Sequence, residues 1–129
     1  MSDLLIIDPV MPDSHTLCRL EDLPEGASKG FAADPNAFYA DILVVRTADG
    51  VYAYRNSCPH TGAPMEWETD QFLDYTGTLI QCGLHGAQFR IEDGYCLAGP
   101  CTGRYLHKVT LEIRDGMLIA LEEIARRYD

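Results

Sequence analysis

Two short stretches of this sequence each set a thiol beside an imidazole: Cys58-Pro59-His60 and Cys82-Gly83-Leu84-His85, separated by Thr61 to Gln81. Thiolate and imidazole are ligands that first-row transition metals favour, so two such pairs in two loops make a metal site. The candidates are a tetrahedral zinc ion and a two-iron cluster in which two histidines on one iron face two cysteines on the other. Spacing bears on the choice. Zinc knuckles commonly pair cysteine with cysteine or histidine with histidine, whereas each loop here carries one of each. A loop of mixed type can reach both irons of a cluster.

The rest of the chain must position these loops, and it reads as strands. Ile42 to Thr47 and Val51 to Tyr54 flank Ala48-Asp49-Gly50; Gln88 to Ile91 and Tyr95 to Leu97 flank Glu92-Asp93-Gly94; Val109 to Ile113 and Met117 to Leu121 flank Arg114-Asp115-Gly116. Asp-Gly between β-branched and aromatic runs is a hairpin signal, and three of them predict a mostly antiparallel β protein. Residues 20–37 are too broken by Pro and Gly for a long helix and predict loops with a short strand or turn. Glu122 to Tyr128 predicts a helical turn or a frayed end. Segment 56–89, which holds both Cys/His pairs, carries no Lys or Arg and only Glu66, Glu68, Asp70 and Asp74 as charges. Such a segment interrupting a β scaffold predicts a functional insertion.

Composition bounds what the site can serve. A chain of 129 residues suits one domain, 1–129, and its 47% hydrophobic content suffices for a core without disulfides. Twenty acidic against ten basic side chains give a net charge of −10, which argues against nucleic acid and anionic membranes as partners and leaves room for a basic protein. The apolar run Leu4 to Ile7 lies between Asp3 and Asp8-Pro9, unlike a signal peptide, and nothing approaches the ~20 apolar residues of a membrane helix. The expected location is cytoplasmic. Five cysteines, an odd number, point in that compartment to ligands and buried thiols.

At the two loops the sequence resembles the Rieske [2Fe-2S] family, in its low-potential, ferredoxin-type branch. Cys58-Pro59-His60-Thr61-Gly62-Ala63-Pro64-Met65 resembles the first cluster loop and Cys82-Gly83-Leu84-His85-Gly86-Ala87-Gln88-Phe89 the second. Gly99-Pro100 resembles the proline loop that covers the cluster, and Arg19 to Gly26 the family's early segment. The resemblance implies an all-β fold: an antiparallel β sandwich with an inserted cluster-binding subdomain at about 56–89 and a covering proline loop at about 97–102. It implies one [2Fe-2S] cluster per chain, with Cys58 and Cys82 as thiolates on a buried iron and neutral His60 and His85 on the outer one. Neutral imidazoles make the cluster less negative and raise its potential above that of all-cysteine ferredoxins. Gly62, Gly83 and Gly86 are expected to turn the backbone tightly and aim N–H groups at the sulfurs.

The chain departs from the family's high-potential branch. Ala63 and Leu84 stand where those members carry a disulfide between the loops, and Ala87 and Phe89 where they offer hydroxyls to the sulfurs. Two missing donors place the expected potential at the low end of the Rieske range, about −150 mV. The spacer is also longer than in most ferredoxin-type members, its added chain lying around Glu66-Trp67-Glu68-Thr69-Asp70-Gln71-Phe72. It reads either as an acidic docking rim for a basic partner or as a solvated loop with Trp67 and Phe72 folded back.

The function implied is that of a one-electron carrier, taking electrons from a flavin reductase and passing them to an oxygenase or similar acceptor. A redox-sensing subunit of a larger complex is the alternative from another class, and a zinc-stabilised binding module a third. No catalytic residues emerge: Ser57 has no acid–histidine partner in register, no phosphate loop is present, and the mononuclear iron site of an oxygenase does not fit. His15 reads as a surface histidine and His107 as a core or edge histidine in register with Tyr105, Val109, Leu111 and Ile113. Cys18 reads as a small buried hydrophobe, and Cys96 and Cys101 as packing thiols near the proline loop, with a disulfide or second redox site as the other reading.

Overall fold

The computed structural model describes residues 15–125. The expectations for Leu4 to Ile7 and for residues 126–128 fall outside it. Nine strands form among the described residues: β1 (His15–Arg19), β2 (Ser28–Phe31), β3 (Ile42–Thr47), β4 (Gly50–Arg55), β5 (Leu79–Gln81), β6 (Gln88–Arg90), β7 (Cys96–Ala98), β8 (Leu111–Arg114) and β9 (Met117–Ala120). A single 3₁₀ turn, Leu20–Asp22, follows β1. The strands make three antiparallel sheets, ordered β1-β9-β8, β2-β3-β4 and β5-β6-β7.

All three expected hairpins form, and their turns show why. Asp115 and Gly116 both have positive φ, 53° and 77°, the requirement of a type I′ turn whose twist matches the strands it joins. In β3–β4, Thr47 pairs with Gly50 and its hydroxyl accepts from the Asp49 amide at 3.1 Å. Gly94 closes β6–β7 with φ 75°, and a Cβ there would come within 2.9 Å of the Tyr54 ring. Tyr54 is itself buried and donates its hydroxyl to the Ile91 carbonyl at 2.6 Å.

The middle sheet is packed on both faces. Leu43, Val45 and Tyr54 point into one core with Phe72, Ile80, Phe89, Leu106 and four cysteines; Ile42, Val44 and Ala53 point into a second with Leu23, Val109, Leu118, Ala120 and Ile124. Successive residues from Ile42 to Val45 thus alternate between two interiors, and all four are buried. Rotation of one strand's side chains to opposite faces lets one sheet hold the β1-β9-β8 base and the cysteine-bearing sheet together.

Two expectations need correction here. His107 is exposed and does not share a buried face with Val109, because the chain from Leu106 to Val109 buries those two ends and turns His107 outward before β8 begins. Residues 122–125 form no helix; they are tied down by Arg55, whose Nη2 donates to Glu122 Oε1 at 2.9 Å and to the Glu123 carbonyl at 2.6 Å. Cys18 is half-buried against the second core, a weaker burial than expected. His15 is exposed, as expected.

Candidate metal centre

The first cysteine loop leaves the end of β4, and the second is the turn between β5 and β6. They are built alike. The Cys58 amide donates to the Ala63 carbonyl at 2.9 Å and the Gly62 amide to the Cys58 carbonyl; the Cys82 amide donates to Ala87 at 2.8 Å and the Gly86 amide to Cys82 at 2.9 Å. Gly62 and Gly86 take φ of 78° and 69°, which a side chain would resist. Each loop is therefore cysteine, then glycine four residues on and alanine five residues on, a local repeat that was visible in the sequence and not read there.

The two loops bring the thiols together inside and the imidazoles together outside. Cys58 and Cys82 are buried in the same core, at 1% and 0% exposure, and Cys58 is among the groups that, after burial, raise the Cys82 thiol. Burial pushes the Cys82 thiol up, while the backbone N–H groups of His85 and Leu84, both directed at its sulfur, pull it down. His60 and His85 are exposed, with ring centroids 5.3 Å apart and planes at 84°. Among the described residues, no three His, Cys, Asp or Glu side chains converge so as to share one ion.

Gly62 and Gly86 turn the backbone as expected, while the three glycine amides donate to backbone carbonyls. The amides of Gly62 and Gly86 close their loops on cysteine carbonyls, and the Gly83 amide donates to the Met65 carbonyl at 2.8 Å. The donors aimed at a sulfur belong to Leu84 and His85 instead. Gly83 is glycine for a different reason: a Cβ there would lie 2.7 Å from the Trp67 Cβ and 3.0 Å from its Cα, so the spacer packs directly on the second loop. Phe72 is fully buried, while Trp67 stays 54% exposed with its indole N–H near the Leu73 carbonyl, so only half of the folded-back reading holds.

The four acids of the segment are not all unopposed either. Asp70 lies 3.6 Å from Lys29 and accepts from the Gly30 amide at 2.8 Å. Glu66 accepts from the Ala40 amide at 3.0 Å and from Asn56 Nδ2 at 2.6 Å. Asn56 was missed in the sequence. It is 1% exposed, donates also to the Ala40 carbonyl, and accepts from the Met65 amide at 2.8 Å, which fastens the far side of the first loop to the β3 approach. Arg104 was missed as well; its Nη1 donates to the Pro59 carbonyl at 3.0 Å. Neither carries a local signal, because their partners lie far along the chain.

The proline loop covers the second cysteine loop. Gly99 has φ 102°, and a Cβ there would lie 2.8 Å from the Ala87 Cα, so the two backbones meet with nothing between them. Ala63 is half-buried and Leu84 is 65% exposed, and no disulfide joins the loops.

The family model of the Rieske [2Fe-2S] domain matches residues 13–123. The chain belongs to the Rieske [2Fe-2S] family. No curated protein matches it. Among solved structures, the Rieske chain is similar to the Sphingomonas yanoikuyae B1 ferredoxin, with 27% identity, TM-score 0.61, and coverage of 84% of this chain and 97% of that one. It is similar to a chain of the complex of reduced oxygenase and oxidized ferredoxin in carbazole 1,9a-dioxygenase, at 24% identity and TM-score 0.65, covering 90% and 97%. A putative NADH-dependent nitrite reductase small subunit from Mycobacterium tuberculosis is similar at 23% identity and TM-score 0.58, covering 83% and 92%.

The cofactor of a Rieske domain is a [2Fe-2S] cluster, and the donor set of this chain suits one. Two buried thiols share one core, two N–H groups face one of them, and two imidazoles stand together at the surface. A bound metal reverses the penalty that burial places on a thiolate, since a coordinating thiol is deprotonated outright. No helix among the described residues is long and apolar enough to cross a membrane.

Proposed function

We propose that this chain is a free one-electron carrier, a Rieske-type ferredoxin, in which Cys58 and Cys82 hold the inner iron and His60 and His85 the outer one. The reading makes residues 1–129 one domain, with 56–89 as the cluster-binding segment and 97–102 as its cover. The cluster supplies a site that gains and loses one electron without breaking bonds. The protein supplies what surrounds it: a dry thiol side that excludes water, and an exposed imidazole edge through which a partner comes within electron-transfer distance. The observation that carries the reading is this separation of buried thiols from exposed imidazoles.

Leu84, Trp67, Phe38 and Tyr39 are all exposed; Leu84 adjoins His85, Trp67 packs on the second loop at Gly83, and Phe38 and Tyr39 line one groove with Trp67 and Glu68. Apolar side chains beside an exposed carboxylate suit a partner with a basic docking face, and complementary charge speeds encounter more than it tightens binding. The similar chain from a complex of oxygenase and ferredoxin supports an oxygenase as acceptor, and the donor in this reading is a flavin reductase. The similar nitrite reductase small subunit supports a second reading, a subunit that feeds electrons within one enzyme complex. Mixed with NADH and a flavin reductase, the carrier should take up one electron per chain, lose visible absorption, and recover it on addition of a Rieske-type oxygenase. Failure to be reduced by the free reductase, together with stoichiometric co-purification with a larger enzyme, would establish the subunit reading.

A further inference from the structure

A groove of about 480 Å³ is lined by residues 37–40 and 66–70, together with Gly30 and Ala32. Its rings are bare: Phe38, Tyr39 and Trp67 are 87%, 48% and 54% exposed. Aromatic surface left in water at one place marks a recognition site. The charge of the groove is of one sign, since Glu66, Glu68 and Asp70 line it and no Lys or Arg does. Asp70 is engaged by Lys29, 3.6 Å away, and by the Gly30 amide. Glu66 accepts from two neutral donors, the Ala40 amide and Asn56 Nδ2, which fix it and leave its charge unopposed. Glu68 is exposed, and its carboxylate has no hydrogen bond or ion pair among the described residues.

Both walls are fixed before any ligand arrives. Residues 33–41 are folded by the Ala37 amide on the Asp34 carbonyl at 3.0 Å and the Ala33 amide on Asp41 Oδ2 at 2.8 Å. The Phe38 and Tyr39 rings meet edge to face with centroids 4.7 Å apart. On the other side, Trp67 lies on Gly83 and its indole N–H reaches the Leu73 carbonyl at 3.3 Å. A preformed site loses less entropy on binding than one that must order itself. Gly83 precedes His85 by two residues, so whatever is anchored beside Trp67 is brought against the loop that carries this histidine.

Ring faces beside a free carboxylate select a cation. Guanidinium suits them better than ammonium, because it is flat, stacks on rings, forks onto a carboxylate and is less strongly hydrated. A net charge of −10 repels nucleic acid and anionic lipid, so the source of that cation is a protein. We propose that the groove lined by Tyr39 and Trp67 takes an arginine side chain from the docking face of the redox partner, stacked on the rings and paired with Glu68. The proposal rests on the carrier reading for the partner. The groove adds the side chain that anchors it and the loop, that of His85, against which it sits.

The chain has one tryptophan, so Trp67 emission reports on the groove alone. Titrating the cluster-loaded protein with the peptide acetyl-Leu-Arg-Leu-amide should change that emission to saturation. The same peptide with citrulline, which keeps the shape and loses the charge, should bind about tenfold more weakly, and the lysine peptide about threefold. Tyr39→Ala and Glu68→Gln should weaken the arginine peptide roughly fivefold and threefold, whereas Glu112→Gln, which removes the same charge on β8, should not. Bound peptide should also slow electron transfer from the reduced protein to a Rieske-type oxygenase in proportion to the groove it fills. Emission blind to the arginine peptide, equal binding of the citrulline peptide, an equal loss in Glu112→Gln, or tighter binding of choline would overturn the proposal. Peptide binding that leaves electron transfer untouched would overturn it too. A native protein with no reducible cluster would instead strike the carrier reading, and the binding titrations would still decide the groove's choice of arginine.

Discussion

The two cysteine loops share one backbone scheme and are held in place by different means. The second loop is the turn of the β5–β6 hairpin, so ladder hydrogen bonds fix both its ends: Gln81 faces Gln88 and Ile80 faces Phe89. Gly99 lies against Ala87 on one side and Trp67 against Gly83 on the other. The first loop has no strand on its far side. It runs from β4 into the spacer, and much of the work of a second strand falls to one buried side chain, Asn56, which links Ala40, Met65 and Glu66. A symmetric metal-binding scheme thus rests on asymmetric supports, one delocalised over a sheet and one concentrated in two side chains, the Asn56 amide and the Arg104 guanidinium on the Pro59 carbonyl.

The asymmetry can be broken at Asn56. Asn56→Leu fills a similar volume but takes their Asn56 partner from the Met65 N–H and the Ala40 carbonyl, each at ~1–3 kcal/mol for a buried unsatisfied group. The expected loss is about 3 kcal/mol in denaturant-induced unfolding, together with faster release of iron from the native protein. A variant as stable as wild type would show that the other supports of the first loop suffice without Asn56.

The shared scheme is sharpened by a smaller pair of changes. Gly62→Ala and Gly86→Ala each force a side chain into positive φ, with only the Ser57 hydroxyl at 3.9 Å near the former and nothing within 4 Å of the latter. Each should cost about 1–2 kcal/mol, the penalty of left-handed backbone alone. Matching losses in thermal unfolding confirm that the loops are equivalent in conformation. A loss confined to one of them would mean that the equivalence is only a coincidence of hydrogen bonds.

The parts of this molecule that could be read in the sequence are those with local causes. Asp-Gly turns dictate hairpins within a few residues, and Cys-x-His and Cys-x-x-His announce a metal through ligand chemistry. What could not be read depends on contacts between distant segments. Nothing near Asn56 says that it will meet Glu66 and Ala40, and nothing near Gly83 says that Trp67 will lie on it. The burial of both faces of β3 was hidden because an alternating pattern looks the same whether the second face meets water or another sheet. The charge of the spacer misled for the same reason, since the cation opposing Asp70 is Lys29, on β2. The glycine-and-alanine repeat was legible and was overlooked because it is shorter than the repeats that mark architectures.

The central claim is that paired thiols and paired imidazoles hold one [2Fe-2S] cluster with its histidines toward solvent. It is tested most directly by the midpoint potential of the purified protein measured against pH. Imidazoles on ferric iron ionise more readily than on the reduced cluster, so the potential, about −150 mV near neutrality, should fall as pH rises through the alkaline range. A one-electron wave that stays flat through that range, or a midpoint well above zero, would contradict the account.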